Sequence, residues 1–358
     1  MLLYVGTFTD GFMGGAPSQG LYVIRFVAGD KHAEIVQIVT NVISPSFLCV
    51  HAPSRTIFAA ERKLSSDASA TGAASAWHIG ADGELRPKWK IDSGGASCAH
   101  INISRDGSTL AVANPMGPTV GLCLLGPDGA PLGPMQTAHH FGKGARPRQN
   151  APWPHSATFD ANGTRLLVCD LGLDRIYVYE FDRGSGALQP ASQPFAQVSS
   201  GAGARHLAWS ASGRTAFVAN ELDSTVSVFD YDAAICALVC KQTVSTLPES
   251  EAISNNQPAE VVVSPNGRNL YVSNRGSDSI AWFDIHPETE RLLLRGLVPS
   301  LGATPRHFAL SPRGDLAFCA NQLSGEIVCY SVGDNGSLAP LGPICAVPSA
   351  SCIAAIEA

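Results

Sequence analysis

The chain repeats itself, and this limits its possible folds more than any other property. One pattern recurs: alternating apolar residues, a turn, a second apolar run and a closing Asn or Asp. It reads HINISRDGSTLAVAN from His100, SATFDANGTRLLVCD from Ser156, HLAWSASGRTAFVAN from His206, EVVVSPNGRNLYVSN from Glu260 and HFALSPRGDLAFCAN from His307. A degenerate sixth copy, FLCVHAPSRTIFAAE from Phe47, has Ser54 in place of the turn glycine and Glu61 in place of the Asn. The glycines Gly107, Gly163, Gly213, Gly267 and Gly314 lie 56, 50, 54 and 47 residues apart, close to the roughly 40 to 50 residues of a propeller blade. Further apolar runs such as DRIYVYEF and GEIVCYSV follow the copies. Strand-like LLYVGTF at the start and ASCIAAI at the end remain. Paired with each other, they complete a seventh blade and remove the free edges of an open array. The expectation is an all-β, seven-bladed β-propeller closed by its N- and C-terminal strands, a single domain over residues 1–358. No apolar i, i+3, i+4 spacing interrupts the series, which disfavours an α/β enzyme.

Composition agrees. The 35 Gly and 24 Pro are spread along the chain, as many strands joined by turns require. A formal charge of -6 has the wrong sign for neutralising phosphates, so nucleic acid is not an expected partner. The opening MLLYVGTFTD lacks the pattern of a secretion signal, and no stretch reaches the roughly 18 apolar residues of a membrane span. Ten cysteines lie far apart without a C-x-x-C, several inside strand-like runs. They read as reduced apolar fillers in a soluble cytoplasmic protein with no membrane partner.

Equivalent positions in a repeat face the same way. Just before the innermost strand stand Ser46, Ala99, His155, Arg205, Ala259 and Arg306, and just after the Asn or Asp stand Arg62, Pro115, Leu171, Glu221, Arg275 and Gln322. Hairpin pairing brings both sets to one mouth of the channel. His155, Arg205, Glu221, Arg275 and Arg306 at such places can exchange protons and hold carboxylate, phosphate or a developing oxyanion. The alternative is a network of ion pairs lining a wet channel.

The segments RQNAPWPHSATFD (148–160), DLGLDRIYVY (170–179), GARHLAW (203–209), ANELDSTVSVF (219–229), SNRGSDSIAWF (273–283) and TPRHFAL (304–310) resemble the propeller lactonase family. That family includes 6-phosphogluconolactonases and 3-carboxy-cis,cis-muconate lactonizing enzymes, and the resemblance runs from YVGTFTDG to SCIAAI. It implies an active-site set of His155, Arg205, Glu221 and Arg275 for metal-independent lactone hydrolysis without a cofactor. Glu221 would act as base on water, the two arginines would bind the lactone carbonyl and product carboxylate, and His155 would protonate the ring oxygen. The roles of His155 and Glu221 could be exchanged. Where relatives read P-H-P-H, this chain has Pro152, Trp153, Pro154 and His155, so Trp153 bears on how the sugar is held. A phosphorylated substrate needs more cations. Arg306 is the first candidate, with Arg148, Arg146, Lys143 and Arg62 behind it; Arg62 and Lys63 read rather as loop charges.

Other signals are read as structural. His100, His206 and His307 begin equivalent strands one residue beyond the channel offset, so alternation turns them away. Asn114, Asp170, Asn220, Asn274 and Asn321 are turn formers. His139 and His140 have no partner at metal spacing. GFMGGAPSQG (11–20) is a flexible turn, SSDASATGAASA (65–76) a mobile loop, and 62–75 and 138–154 are insertions. Three functions follow: a sugar lactonase with 6-phosphogluconolactone as first substrate, a lactonizing cycloisomerase of muconate type, or a noncatalytic platform, since YVSN (271–274) and FVAN (217–220) resemble YVTN-type repeats. The expected ligand is a small lactone or sugar acid.

Overall fold

A computed structural model describes residues 1–27, 29, 32–63, 71–248, 250 and 255–357. The protein is an all-β, seven-bladed β-propeller made of seven four-stranded antiparallel sheets. Among the described residues helical structure is limited to short 3-10 pieces, among them Phe12–Gly14 and Pro147–Gln149. Six blades use consecutive strands, as in Pro154–Phe159, Arg165–Asp170, Arg175–Phe181 and Leu188–Gln197. The seventh sets Ala350–Ile356 against Leu2–Thr7, in register from Leu2 opposite Ile356 to Gly6 opposite Cys352. The closure expected from the unused ends is thus an antiparallel ladder.

The recurring turn explains the repeat. Ser104, Asp160, Ser210, Ser264 and Ser311 each donate their N–H to the carbonyl of the residue five on, and their own carbonyl accepts the N–H of the turn glycine. Their side chains accept the N–H of Thr109, Arg165, Thr215, Asn269 and Leu316. The five glycines sit at φ between 64 and 75°, a region a Cβ disfavours. In the degenerate copy Arg55, and not Ser54, takes the left-handed position at φ 47°.

The residues fall into two compact units. One comprises Met1–Ser44, Ala208–Asp230 and Cys240–Ala358; the other comprises Pro45–Leu207 and Tyr231–Val239. In the first, Leu3, Ile24, Phe318 and Ile327 fill one seam between sheets, and Tyr271, Phe308 and Tyr330 another. In the second, Phe58, Ile101, Leu110 and Val112 form one seam, and Leu122, Phe159 and Val168 another. Each such side chain contributes about 1.5–3 kcal/mol on full burial. None of the ten cysteines forms a disulfide, and seven are buried, including Cys98, Cys169 and Cys319. Burial pushes the Cys169 thiol up to about 12 and the Cys49 thiol up to about 11, the behaviour of inert fillers.

Two loop expectations change. Of the supposed loop 65–76, residues 65–70 lie outside the described residues, while 73–76 begin the strand Ala73–Ile79, because the small residues Ala74 and Ala76 bury fully between sheets. The supposed insertion 138–154 starts with the end of the strand Gln136–His139 and ends on Pro154, already in the next strand. No helix among the described residues is long and apolar enough to cross a membrane.

Candidate active site

Of the residues expected just ahead of the innermost strands, Ala99 does precede His100–Ile103, while Ser46, His155, Arg205, Ala259 and Arg306 are inside their strands, with Ser46, His155, Ala259 and Arg306 at irregularities of the ladder. Pro154 pairs with Asp170 and Ser156 with Cys169, which leaves His155 as the extra residue. Arg306 is extra between Pro305 and His307, and Ser46 between Pro45 and Phe47. Another irregularity lies between Pro258 and Val261. A bulge opposes two residues to one and breaks the alternation at that point.

This overturns the reading of the strand-start histidines as turned away. In the second unit, the His206 ring meets the His155 ring at a centroid distance of 5.1 Å and the His100 ring at 5.3 Å, and His100 stacks on Phe47 at 4.3 Å. Phe47 and His206 also meet, at 5.5 Å, although their strands belong to different blades separated by two others. Such contacts require all four rings to project from the inner strands toward one another. His100 accepts the Ala157 N–H on Nδ1 (3.3 Å), which leaves the proton of the neutral ring on Nε2. Arg205 and His155 are buried, at 2% and 7% exposure.

Trp153 is half-buried, and its N–H donates to Asp170 Oδ1 (2.8 Å). Asp170 is more than a turn former. Its Oδ2 lies 2.6 Å from His140 Nδ1, both side chains fully buried, and the His140 ring packs on Tyr177 at 4.0 Å. In the equivalent places Asn114 and Asn321 donate to the carbonyls of Ser93 and Ser300, tying each strand end to the end of the preceding blade's outer strand. An acceptor at 170 therefore goes with a donor at 140, and the one Asp among four Asn was the available signal. Arg148, with Lys143 and Arg146 near it, is exposed on or beside the turn Pro147–Gln149. Arg62 is not a solvated loop charge: it is 7% exposed. Lys63 is exposed, as expected.

In the first unit, Glu221 and Arg275 form an ion pair at 2.7 Å with side chains 2% and 6% exposed. Arg275 Nε donates to the Gln257 carbonyl (3.2 Å), which lays the guanidinium across the start of the next inner strand. Arg306 Nη1 donates to Gln322 Oε1 (3.0 Å), with its guanidinium 5.0 Å from the Phe8 ring centroid and 5.7 Å from that of Phe12. Gln322 Nε2 in turn donates to the Phe12 carbonyl (2.8 Å), so the segment 11–20 is tied down at Phe12. The sequence reading passed over Glu260. Its Oε2 lies 3.2 Å from His307 Nε2, while His307 Nδ1 accepts the Ile353 N–H. Its place as first residue of a repeat copy, where three others have His, was the signal. Among the described residues no three His, Cys, Asp or Glu side chains group as metal ligands.

The first unit supplies a buried carboxylate with a guanidinium partner and a cation with aromatic faces beside it, and the second supplies imidazoles in contact. These are the elements of acid–base and oxyanion chemistry. Over 352 residues, 98% of this chain and 97% of the relative, the sequence is 27% identical to a 6-phosphogluconolactonase of Bacillus subtilis. It is 33% identical to a 6-phosphogluconolactonase of Erwinia tasmaniensis over 267 residues, 74% of this chain and 76% of that one. Among solved structures, the periplasmic gluconolactonase of Pseudomonas aeruginosa superimposes with a TM-score of 0.89 at 27% identity, covering 99% of both chains. The family model described as lactonase, 7-bladed beta-propeller, matches residues 2–355, and the chain belongs to that family.

Proposed function

We propose that the protein hydrolyses a sugar lactone, with 6-phosphogluconolactone or a related sugar-acid lactone as substrate, and that His155, Arg205, Glu221 and Arg275 carry the reaction without a metal or other cofactor. Water adds to the lactone carbonyl as Glu221 takes its proton. Arg205 and Arg275 hold the oxyanion and then the product carboxylate, and His155 protonates the ring oxygen as the acyl C–O bond breaks. The observation that carries this reading is the buried Glu221–Arg275 pair in a chain that matches the lactonase family over nearly its whole length.

Arg306, with Arg148 and Trp153, is assigned to the sugar or its phosphate. The Arg306 guanidinium beside Phe8 and Phe12 supports this, since aromatic contact and the Gln322 bond fix its orientation. The repeat runs through both units without a linker, which supports one domain over residues 1–358, and ten cysteines without a disulfide favour a cytoplasmic setting.

The test follows release of acid from freshly made 6-phosphoglucono-1,5-lactone and glucono-1,5-lactone above their spontaneous rates, with a chelator present. Turnover that survives chelation and is lost in Glu221→Gln and Arg275→Ala is the expected result. A folded wild-type protein that accelerates neither lactone, or a Glu221→Gln variant with full turnover, refutes the assignment.

A further inference from the structure

We propose that Asp174 is a positioning residue for Arg205, and that the D-L-G-L-D turn 170–174 braces the three segments bearing Arg205, Arg148 and Trp153–His155. The inference rests on the lactonase reading of the site those segments form.

Asp174 holds a left-handed conformation at φ 57°. Its Oδ1 accepts the Gly203 N–H and the Gln149 side-chain N–H, each at 2.7 Å, and its Oδ2 accepts the Gly201 N–H at 2.7 Å. All three are charge-assisted and short. Gly203 stands two residues before Arg205. Gln149, fully buried, is the neighbour of Arg148 and also donates to the Leu171 carbonyl (2.8 Å). At the other end of the turn, Asp170 accepts the Trp153 N–H, and Leu171 N–H donates to the Trp153 carbonyl (3.0 Å). His155 follows two residues later.

Comparison among the blades separates this role from a purely structural one. Asp174 shares its left-handed conformation with the equivalent residues Ser224, Asp278 and Gly325, at φ 62, 48 and 75°, whereas the fifth equivalent, Pro118, is not left-handed. In the four left-handed ones the carbonyl accepts an N–H from the end of the outer strand: Val198, Thr246, Ser300 and Val347 respectively. The propeller turn thus needs no carboxylate: Ser and Gly supply the left-handed backbone, and the Pro118 carbonyl accepts the same bond, from the His140 N–H, without it. A carboxylate is present at two of the five places, and each time it bonds the backbone just ahead of an arginine. Asp174 does so before Arg205, and Asp278 Oδ1 accepts the Thr304 N–H (2.8 Å) before Arg306.

The test uses Asp174→Asn in the full chain. Asn tolerates the left-handed backbone, but its NH2 must face either the Gly201 N–H or the Gln149 and Gly203 donors. The expected result is a folded protein in which the Gly201 and Gly203 amides exchange faster with solvent and kcat falls about 10- to 100-fold. In an Arg205→Lys background the same change should lower kcat less than about 2-fold, because a residue acting through Arg205 has nothing left to position. Unchanged exchange at Gly201 and Gly203, or losses that multiply in the double variant, would overturn the proposal. If Asp174→Asn does not fold, Asp174→Gly keeps the backbone and removes only the carboxylate, with the same expectations. A wild-type protein inactive on every lactone, whose Gly201 and Gly203 amides still lose protection in the variant, would refute the lactonase reading and leave the brace standing.

Discussion

Gly172, inside the same turn, gives a perturbation whose size follows from geometry. Its φ is not left-handed, so alanine suits the backbone, and the effect of Gly172→Ala is steric. An added Cβ would stand 2.1 Å from the Ala151 carbonyl oxygen, 2.8 Å from Trp153 N and 2.9 Å from Pro152 C, all of them backbone atoms. Ordinary contact begins at 3.4 Å, so 3.4 less 2.1 requires residues 151–153 to withdraw by about 1.3 Å. That movement strains the Leu171-to-Trp153 and Trp153-to-Asp170 hydrogen bonds and shifts the entry to His155. Overpacking of this kind costs about 1–3 kcal/mol. A displacement of about 1 Å at a reacting group costs about 100-fold in rate. The assay is kcat on glucono-1,5-lactone above the spontaneous rate, with thermal unfolding measured beside it. Gly133→Ala is the control: no atom lies within 4 Å of its added Cβ, and it should stay within about 0.5 kcal/mol of wild type. Wild-type kcat and unfolding temperature in Gly172→Ala would refute the claim that this close approach sets His155.

Arg275→Met should lower stability by about 3–5 kcal/mol, because it removes the 2.7 Å ion partner of a carboxylate only 2% exposed. Adding Glu221→Gln should recover much of that loss in chemical denaturation and none of the turnover. The Asp106 carboxyl is held down at about 2, chiefly by the Ser104 hydroxyl and then by the Ser108 N–H. Its folded value lies below the usual unfolded value of about 3.9, so its stabilisation is complete above that pH and is lost as pH falls toward 2. Asp106→Asn should therefore flatten stability against pH between about 4 and 2, by a small amount because the carboxylate is 58% exposed. Thiol titration of native protein at pH 8 should modify Cys240, which is exposed, well before Cys49 and Cys169, whose thiols burial raises to about 11 and 12. Rapid loss of Cys169 would mean that its sheet opens.

The architecture was legible because a propeller writes each blade into the sequence. Turn glycines at fixed intervals and two unpaired ends were enough to place the closure of Leu2–Thr7 on Ala350–Ile356. Strict alternation then failed at the inner strands, where bulges make His206 touch His155. A signal for the bulges was available. Three of the bulged residues follow a proline directly, in Pro45–Ser46, Pro154–His155 and Pro305–Arg306, and a fourth proline, Pro258, opens the irregular stretch that ends at Val261. Proline cannot donate to a ladder, so within sheets it is confined to edges, strand starts and bulges. The His140–Asp170 pair was harder to foresee, since 30 residues separate its members and only the tertiary fold joins them.

The bulge also accounts for how one repeat yields an unequal site. Below it, each inner strand returns to alternation, and side chains such as Ala157, Phe159 and Phe308 remain buried in the seams between sheets. At the bulge itself two residues oppose one, so a strand can offer an outer polar group and a deeper one, as in Arg306 with His307. Neither has to come from the core face. Substitution there changes the chemistry of one blade without changing the packing of any seam, so His, Arg, Ala and Ser can occupy equivalent bulge positions in a fold whose turns and ladders stay the same. Repeat spacing therefore locates the positions where chemistry is permitted. Which side chain does what depends on its partner, such as Arg275 from the next blade for Glu221 and Gln322 for Arg306, and on turn carboxylates such as Asp174 that fix the backbone leading into them.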